Sequence, residues 1–157
     1  MKNFSYKIIL SFLLILFPLL ASAQGLPQYS IEGAGVGTQG TYLVKVTVTS
    51  KKSNVSEDQL VKCAVHGVLF RGFSSKENRQ SQKPLAGSAL SESKHADFYN
   101  NFFQSTYLNY AQVVEGSRKV VKSGKEYNVS IVVTVLKSQL KKDLVDAGIV
   151  EGLKSGF

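Results

Sequence analysis

Apolar and polar positions alternate from Thr41 to Thr49, broken only at Leu43. Tyr42, Val44, Val46 and Val48 fall on one side and Thr41, Lys45, Thr47 and Thr49 on the other, which predicts a half-buried β-strand. The period then changes. Ser56 followed by Gln59 forms a capping box, with Val55 and Leu60 as its hydrophobic staple, so a helix is expected from Glu57 to about Arg71, with Gly72 as its left-handed stop. Its apolar positions nearly surround it; only Gln59, Lys62 and His66 make a polar arc. Such a helix is buried on more than one side, between a sheet and another helix, and Gly67 permits a close approach.

A polar, aperiodic stretch, Ser74 to Ser91, reads as a long mobile loop with Pro84 inside it. Ser93 is the expected cap of a second helix from about Lys94 to Ala111. Phe98, Tyr99, Phe102, Phe103, Tyr107 and Tyr110 share half of its circumference. Gln112 to Lys122 and Glu126 to Leu136 read as two strands around Ser123-Gly124-Lys125, a hairpin with an edge strand that bulges at Gly116 and an apolar central strand. Ser138 is the expected cap of a last helix, with Gly148 as its stop. The order β-α-α-β-β-α predicts an α+β, two-layer domain. Its antiparallel or mixed sheet has three to four strands and carries about three helices.

The ends of the chain change the compartment rather than the fold. Residues 1–23 have a basic start at Lys2 and Lys7, an apolar run from Ile8 to Leu20, and the small-residue site Ala21-Ser22-Ala23, the pattern of a cleaved signal peptide. The apolar run is short of the ~20 residues of a spanning helix, and no later run is longer, so no transmembrane segment is expected after cleavage. Residues 24–40 form a glycine-rich lead-in, in which Tyr29 and Ile31 suggest a short strand, and residues 41–157 form one domain. Loss of Lys2 and Lys7 lowers the net charge from +8 to +6. Export, to the periplasm or the outside of a bacterium, turns that charge away from nucleic acid. It points instead to an anionic envelope polymer or another envelope protein as the partner.

The candidate chemistry is sparse. One cysteine and two histidines cannot build a Cys/His zinc cage, and no metal or other cofactor is expected. Gly35-Val36-Gly37-Thr38-Gln39-Gly40 matches a dinucleotide fingerprint literally, but a strand rather than a helix follows it. Cys63 and His66, at i and i+3, are the nearest approach to a nucleophile pair, with His95 a third weak catalytic candidate. The simpler reading is a buried thiol, a solvated His66 and a His95 packed on aromatics. Arg118, Lys119, Lys122 and Lys125 cluster along the hairpin and are the binding candidates.

The segment from Cys63 to Phe73, Cys-Ala-Val-His-Gly-Val-Leu-Phe-Arg-Gly-Phe, resembles that of small exported bacterial proteins of unknown function, and the architecture is similar to small α+β domains of envelope lipoproteins. The lipidation cysteine of the latter is missing. The resemblance implies no established activity. With no convergent catalytic set, the expectation is a non-enzymatic binding or structural domain that engages an envelope component or protein partner. The alternative is a hydrolase whose site assembles from dispersed residues. Mass spectrometry of the protein from its host is expected to find Gln24 as the first residue; a retained Met1 would overturn export.

Overall fold

A computed structural model describes residues 25–75 and 81–151. The signal segment 1–23 lies outside these residues. The domain is α+β. Strand β1 (Tyr29–Gly33) pairs with β2 (Tyr42–Ser50), β2 with β7 (Glu126–Val135), and β7 with β5 (Ala111–Val113) and β6 (Lys119–Ser123), all antiparallel. The result is a five-stranded sheet with β7 inside it. Val44, Val46 and Val48 of β2 and Val129, Ile131, Val133 and Val135 of β7 are completely buried on one face. The alternate residues, such as Lys45, Thr47, Val132 and Thr134, keep partial access to solvent. One face therefore carries the whole second layer. The short strand that Tyr29 and Ile31 suggest within the glycine-rich lead-in is β1, in register with β2 from Tyr29 opposite Val48 to Gly33 opposite Val44.

β5 and β6 lie along the same side of β7 as one interrupted strand. Residues 114–118 stand opposite only Ile131 and Val132, so the expected bulge at Gly116 (φ +69°) is a wide one. Ser117 replaces the missing ladder contact: the Val132 amide donates to its Oγ at 3.0 Å.

Helix α1 (Glu57–His66) starts where the capping box requires, with the Gln59 amide donating to Ser56 Oγ at 3.3 Å. It lies across the sheet and buries Leu60, Val61, Cys63, Ala64 and Val65. A Cβ on Gly67 would stand 2.8 Å from Ile31 Cδ1, so the glycine is what lets the helix approach β1 this closely. Its last turn, Gly67–Arg71, widens to π geometry and closes with the Gly72 amide on the Gly67 carbonyl.

The expected free loop is corrected in part: the described parts of the 74–91 stretch, residues 74–75 and 81–91, are tied down rather than free, and residues 76–80 lie outside the described residues. The Val68 and Leu69 carbonyls face the chain as it returns and accept the Leu85 and Ala86 amides at 3.0 and 2.9 Å. Strands β3 (Phe73–Ser74) and β4 (Ser81–Gln82) pair beside them, and Ala86 is buried. Few apolar side chains anchor this stretch; backbone carbonyls left over from the π turn do.

The second predicted helix is also corrected. Instead of one helix from Lys94 to Ala111 there are α2 (Leu90–Lys94), α3 (Ala96–Phe102) and a 3₁₀ turn, Thr106–Tyr110. Ser93 caps nothing; its hydroxyl donates back to the Leu90 carbonyl at 3.0 Å, inside α2. The chain breaks at His95 (φ −122°, ψ 40°) and again after Phe102. The aromatic face explains the second break. Tyr110 donates to Asp143 Oδ2 at 2.6 Å, and Tyr107 is buried with its hydroxyl toward the Asp58 carbonyl. These anchors lie on different neighbours, and packing outweighs helix propensity in a run rich in Asn, Ser and Thr.

The last helix, α4 (Lys137–Asp146), buries Leu140 and Leu144 and stops at Gly148 (φ +70°). The Ser138 side chain does not cap it; the Ser138 amide is held by the Gly40 carbonyl at 3.0 Å.

Gly72 is the tightest point of the fold. It has φ +69°, and a Cβ there would lie 2.2 Å from the Gln82 carbonyl oxygen. Gly72→Ala is expected to destabilise the protein by roughly 2 kcal/mol or more, read as a drop in thermal midpoint. Gly116→Ala has the same strain in φ but nothing within 4 Å of the new Cβ, and should cost visibly less.

Candidate functional site

Three segments far apart in sequence meet at the polar arc of α1. His66 lies in the last turn of α1, and its side chain is 12% exposed, so the expectation of a solvated histidine does not hold. Tyr29 of β1 approaches its Nδ1 at 2.5 Å, and Glu92 of α2 approaches its Nε2 at 3.2 Å. A carboxylate can only accept, so Nε2 carries the proton and donates to Glu92. Nδ1 is then the acceptor for the Tyr29 hydroxyl. Burial lowers the His66 pKa; Glu92 opposes this by favouring the charged ring, and Arg71 adds to the lowering.

Tyr29 is itself clamped. The Arg71 guanidinium lies 3.9 Å from the centre of its ring and donates to its carbonyl at 3.0 Å. Burial raises the Tyr29 pKa, with Arg71 pulling the other way, so the phenol stays protonated and serves as a donor. Phe70 stands edge-on to His66 at 4.9 Å and Phe103 lies tilted at 5.8 Å, which fixes the imidazole plane. Beside them the Lys62 ammonium sits 5.8 and 5.9 Å from the Phe103 and Tyr107 rings.

These groups open onto a groove of about 870 Å³. Lys62, His66 and Glu92 supply its charge, Leu26, Tyr99 and Phe103 its apolar lining, and Asn100 and Gln104 its neutral polar groups. A second depression, of about 510 Å³, shares Gly25, Leu26 and Lys62 with the first and extends past Gln59 and Asp58 toward the start of α1.

The other candidates lie elsewhere. Cys63 is completely buried in the core, and burial pushes its thiol up to about 12. It is an inert packing residue, not a nucleophile. His95 is half-buried at the break between α2 and α3. It does not line the groove, and among the described residues it makes no ring contact with the aromatics it was expected to join. Asp97 is exposed on α3.

Arg118 donates to the Val55 carbonyl at 2.7 Å and ties the hairpin to the start of α1. Lys119, Lys122 and Lys125 are exposed, but β6 points Lys119 to the Ser130 side of the sheet and Lys122 to the Tyr127 side, so the hairpin cations do not share one face. Among the described residues no group of three or more His, Cys, Asp or Glu could hold a metal ion, and no helix is long and apolar enough to cross a membrane. No family model matches the chain, and neither a curated protein nor a solved structure matches it.

Sequence reasoning singled out His66, with Asp97 or Glu92 as the carboxylate to look for beside it, and missed Tyr29. The Lys62 and His66 pair, one helical turn apart on an otherwise apolar helix, was the available signal.

The pH dependence has a definite sign. His66 binds its proton less readily when folded than its ordinary pKa near 6.5 implies, so the unfolded chain takes up more protons as the pH falls. Stability is therefore full above about pH 6.5 and declines as the pH falls from there toward the folded pKa. The fall in thermal midpoint between pH 7.5 and 5 is expected to be smaller in His66→Gln than in the wild type. Equal slopes would show that His66 does not carry the effect.

Proposed function

We propose that the protein is an exported, non-enzymatic binding domain that engages an envelope component or protein partner through the groove along α1. The observation that carries this reading is the state of His66. Nε2 donates to Glu92 and Nδ1 accepts from the Tyr29 hydroxyl, so the one basic nitrogen is already occupied by a buried phenol that keeps its proton. The thiol is sealed in the core, and the Ser93 hydroxyl at the groove's edge is spent on the Leu90 carbonyl. A buried polar cluster satisfied in this way holds the wall of a site rigid and does not turn over a substrate. The exposed Lys119, Lys122 and Lys125 add a diffuse positive field that draws anionic envelope material toward the domain.

A hydrolase is the second reading, favoured by one observation: His66 and Glu92 stand side by side in the groove. It requires an entering substrate to displace Glu92 from Nε2.

Co-sedimentation with envelopes isolated from the host tests the two. Lys62→Glu is expected to abolish most of the binding. Joint reversal of Lys119, Lys122 and Lys125 to Glu should remove only the salt-sensitive part and leave the thermal midpoint nearly unchanged. Full binding by the Lys62 variant would remove the groove from the reading. Ester or amide turnover that disappears in His66→Gln would replace it with the hydrolase.

A further inference from the structure

We infer that the groove is built for an extended oligopeptide that presents a cation, an anion and a second cation on alternate residues. The inference rests on the binding reading above and names the ligand class of the same site.

The argument starts from spacing. Asp58, Lys62 and His66 are four residues apart in turn along α1, and Glu92 is hydrogen-bonded to His66. Lys62 is common to both depressions; Asp58 lines one, and His66 with Glu92 lines the other. Asp58, Lys62 and His66 follow one another along the helix in steps of about 6 Å at 1.5 Å per residue, and Glu92, on α2, supplies the second acid at the His66 end. Side chains on one face of an extended peptide recur every two residues, at about 6.6 Å. The two repeats match closely enough for residues 1, 3 and 5 of a bound peptide to meet Asp58, Lys62 and Glu92 in turn. Residues 2 and 4 then point to solvent.

The charges are also available. No carboxylate among the described residues lies within 4.0 Å of Lys62. Its ammonium rests against the Phe103 and Tyr107 rings instead, partly buried, which leaves it in want of an anion. Glu92 commits only one carboxylate oxygen to His66 and is 46% exposed. Asp58 is exposed in the first turn of α1. The side-chain amides of Gln59, Asn100 and Gln104 edge the two depressions and can donate to and accept from a peptide backbone. A polymer carrying negative charge alone would place like charges against Asp58 and Glu92, so it fits the hairpin lysines and not the groove.

Two blocked pentapeptides decide the matter in titration calorimetry of the mature chain at low ionic strength. Lys-Ser-Glu-Ser-Lys is expected to bind about tenfold tighter than Glu-Ser-Lys-Ser-Glu, the size of a few weak ion pairs acting together. The mature chain's own net charge of +6, after loss of Lys2 and Lys7 from +8, would favour the second peptide, so the expected order cannot come from overall attraction. Lys62→Glu should narrow the preference several-fold, because the central glutamate of the first peptide then meets a like charge while both of its lysines keep their partners. Asp58→Asn, on an exposed side chain, should weaken the first peptide several-fold even if the Lys62 variant does not fold.

Equal affinities, or a preference for Glu-Ser-Lys-Ser-Glu, would overturn the proposal. If neither peptide binds while Lys62→Glu still abolishes envelope binding, the oligopeptide class falls and the binding reading stands. If the peptides fail and the Lys62 variant binds envelopes normally, both fall.

Discussion

An α-helix that is apolar almost all round must be covered on every side, and the fold is organised by that demand. Leu60, Cys63, Ala64, Val65 and Leu69 have no exposed surface. Each large side chain so buried contributes about 1.5–3 kcal/mol, but no single neighbour reaches all of them. The sheet covers one side. The aromatic cluster of Phe70, Tyr99, Phe102 and Phe103, packed mostly edge to face at about 5 to 6.4 Å, covers a second. The chain from Leu85 to Ala86 covers the end of the helix, and it is fastened there because the π turn leaves two carbonyls facing it. What stays least covered is the narrow arc of Asp58 and Lys62 with the edge of His66, and that arc is the wall of the groove. The core and the site are opposite sides of one helix.

This dependence explains why parts of the fold were legible in the sequence and others were not. The β2 alternation, the Ser56 capping box, Gly72 and Gly148 are local signals, each sufficient where it stands, and the structure has all four. The interrupted strand was also visible, through Gly116 and the polar residues around it. The broken second helix was not. Its six aromatics do share a helical face, but Tyr107 and Tyr110 are drawn to Asp58 and Asp143 on two other helices, and no local pattern encodes that choice. The π turn was equally hidden, since its cost is recovered only by amides that return at Leu85 and Ala86.

The site was half legible for the same reason. Lys62 and His66 stand out on α1, yet Tyr29 is 37 residues and Glu92 26 residues from His66. Glu92 stood just ahead of the predicted second helix with nothing local to aim it at His66, and Tyr29 read as a strand residue in a glycine-rich segment. The basic hairpin shows the opposite error. Four cations close together in sequence suggested one surface, but a strand sends neighbours to opposite faces, and Arg118 is taken up by a structural bond to Val55. Proximity in sequence overstated one site and hid another.

The network around His66 also constrains what the groove can become. Tyr29 is held from below by Arg71, His66 is wedged between Phe70 and Phe103, and only Glu92, on the short helix α2, stands partly in solvent. Rigidity therefore falls off outward, from the sheet through the imidazole to the carboxylate. A ligand that bonds Glu92 from the open side can leave the His66 contact intact, because a carboxylate accepts several hydrogen bonds at once. Binding of that kind requires no rearrangement of the core. Proton transfer at Nε2 would require Glu92 to leave, and with it a hydrogen bond that joins α2 to the polar arc of α1. A ligand held at Glu92 from the open side leaves the His66 network as it stands, whereas a reacting group at Nε2 would have to break it.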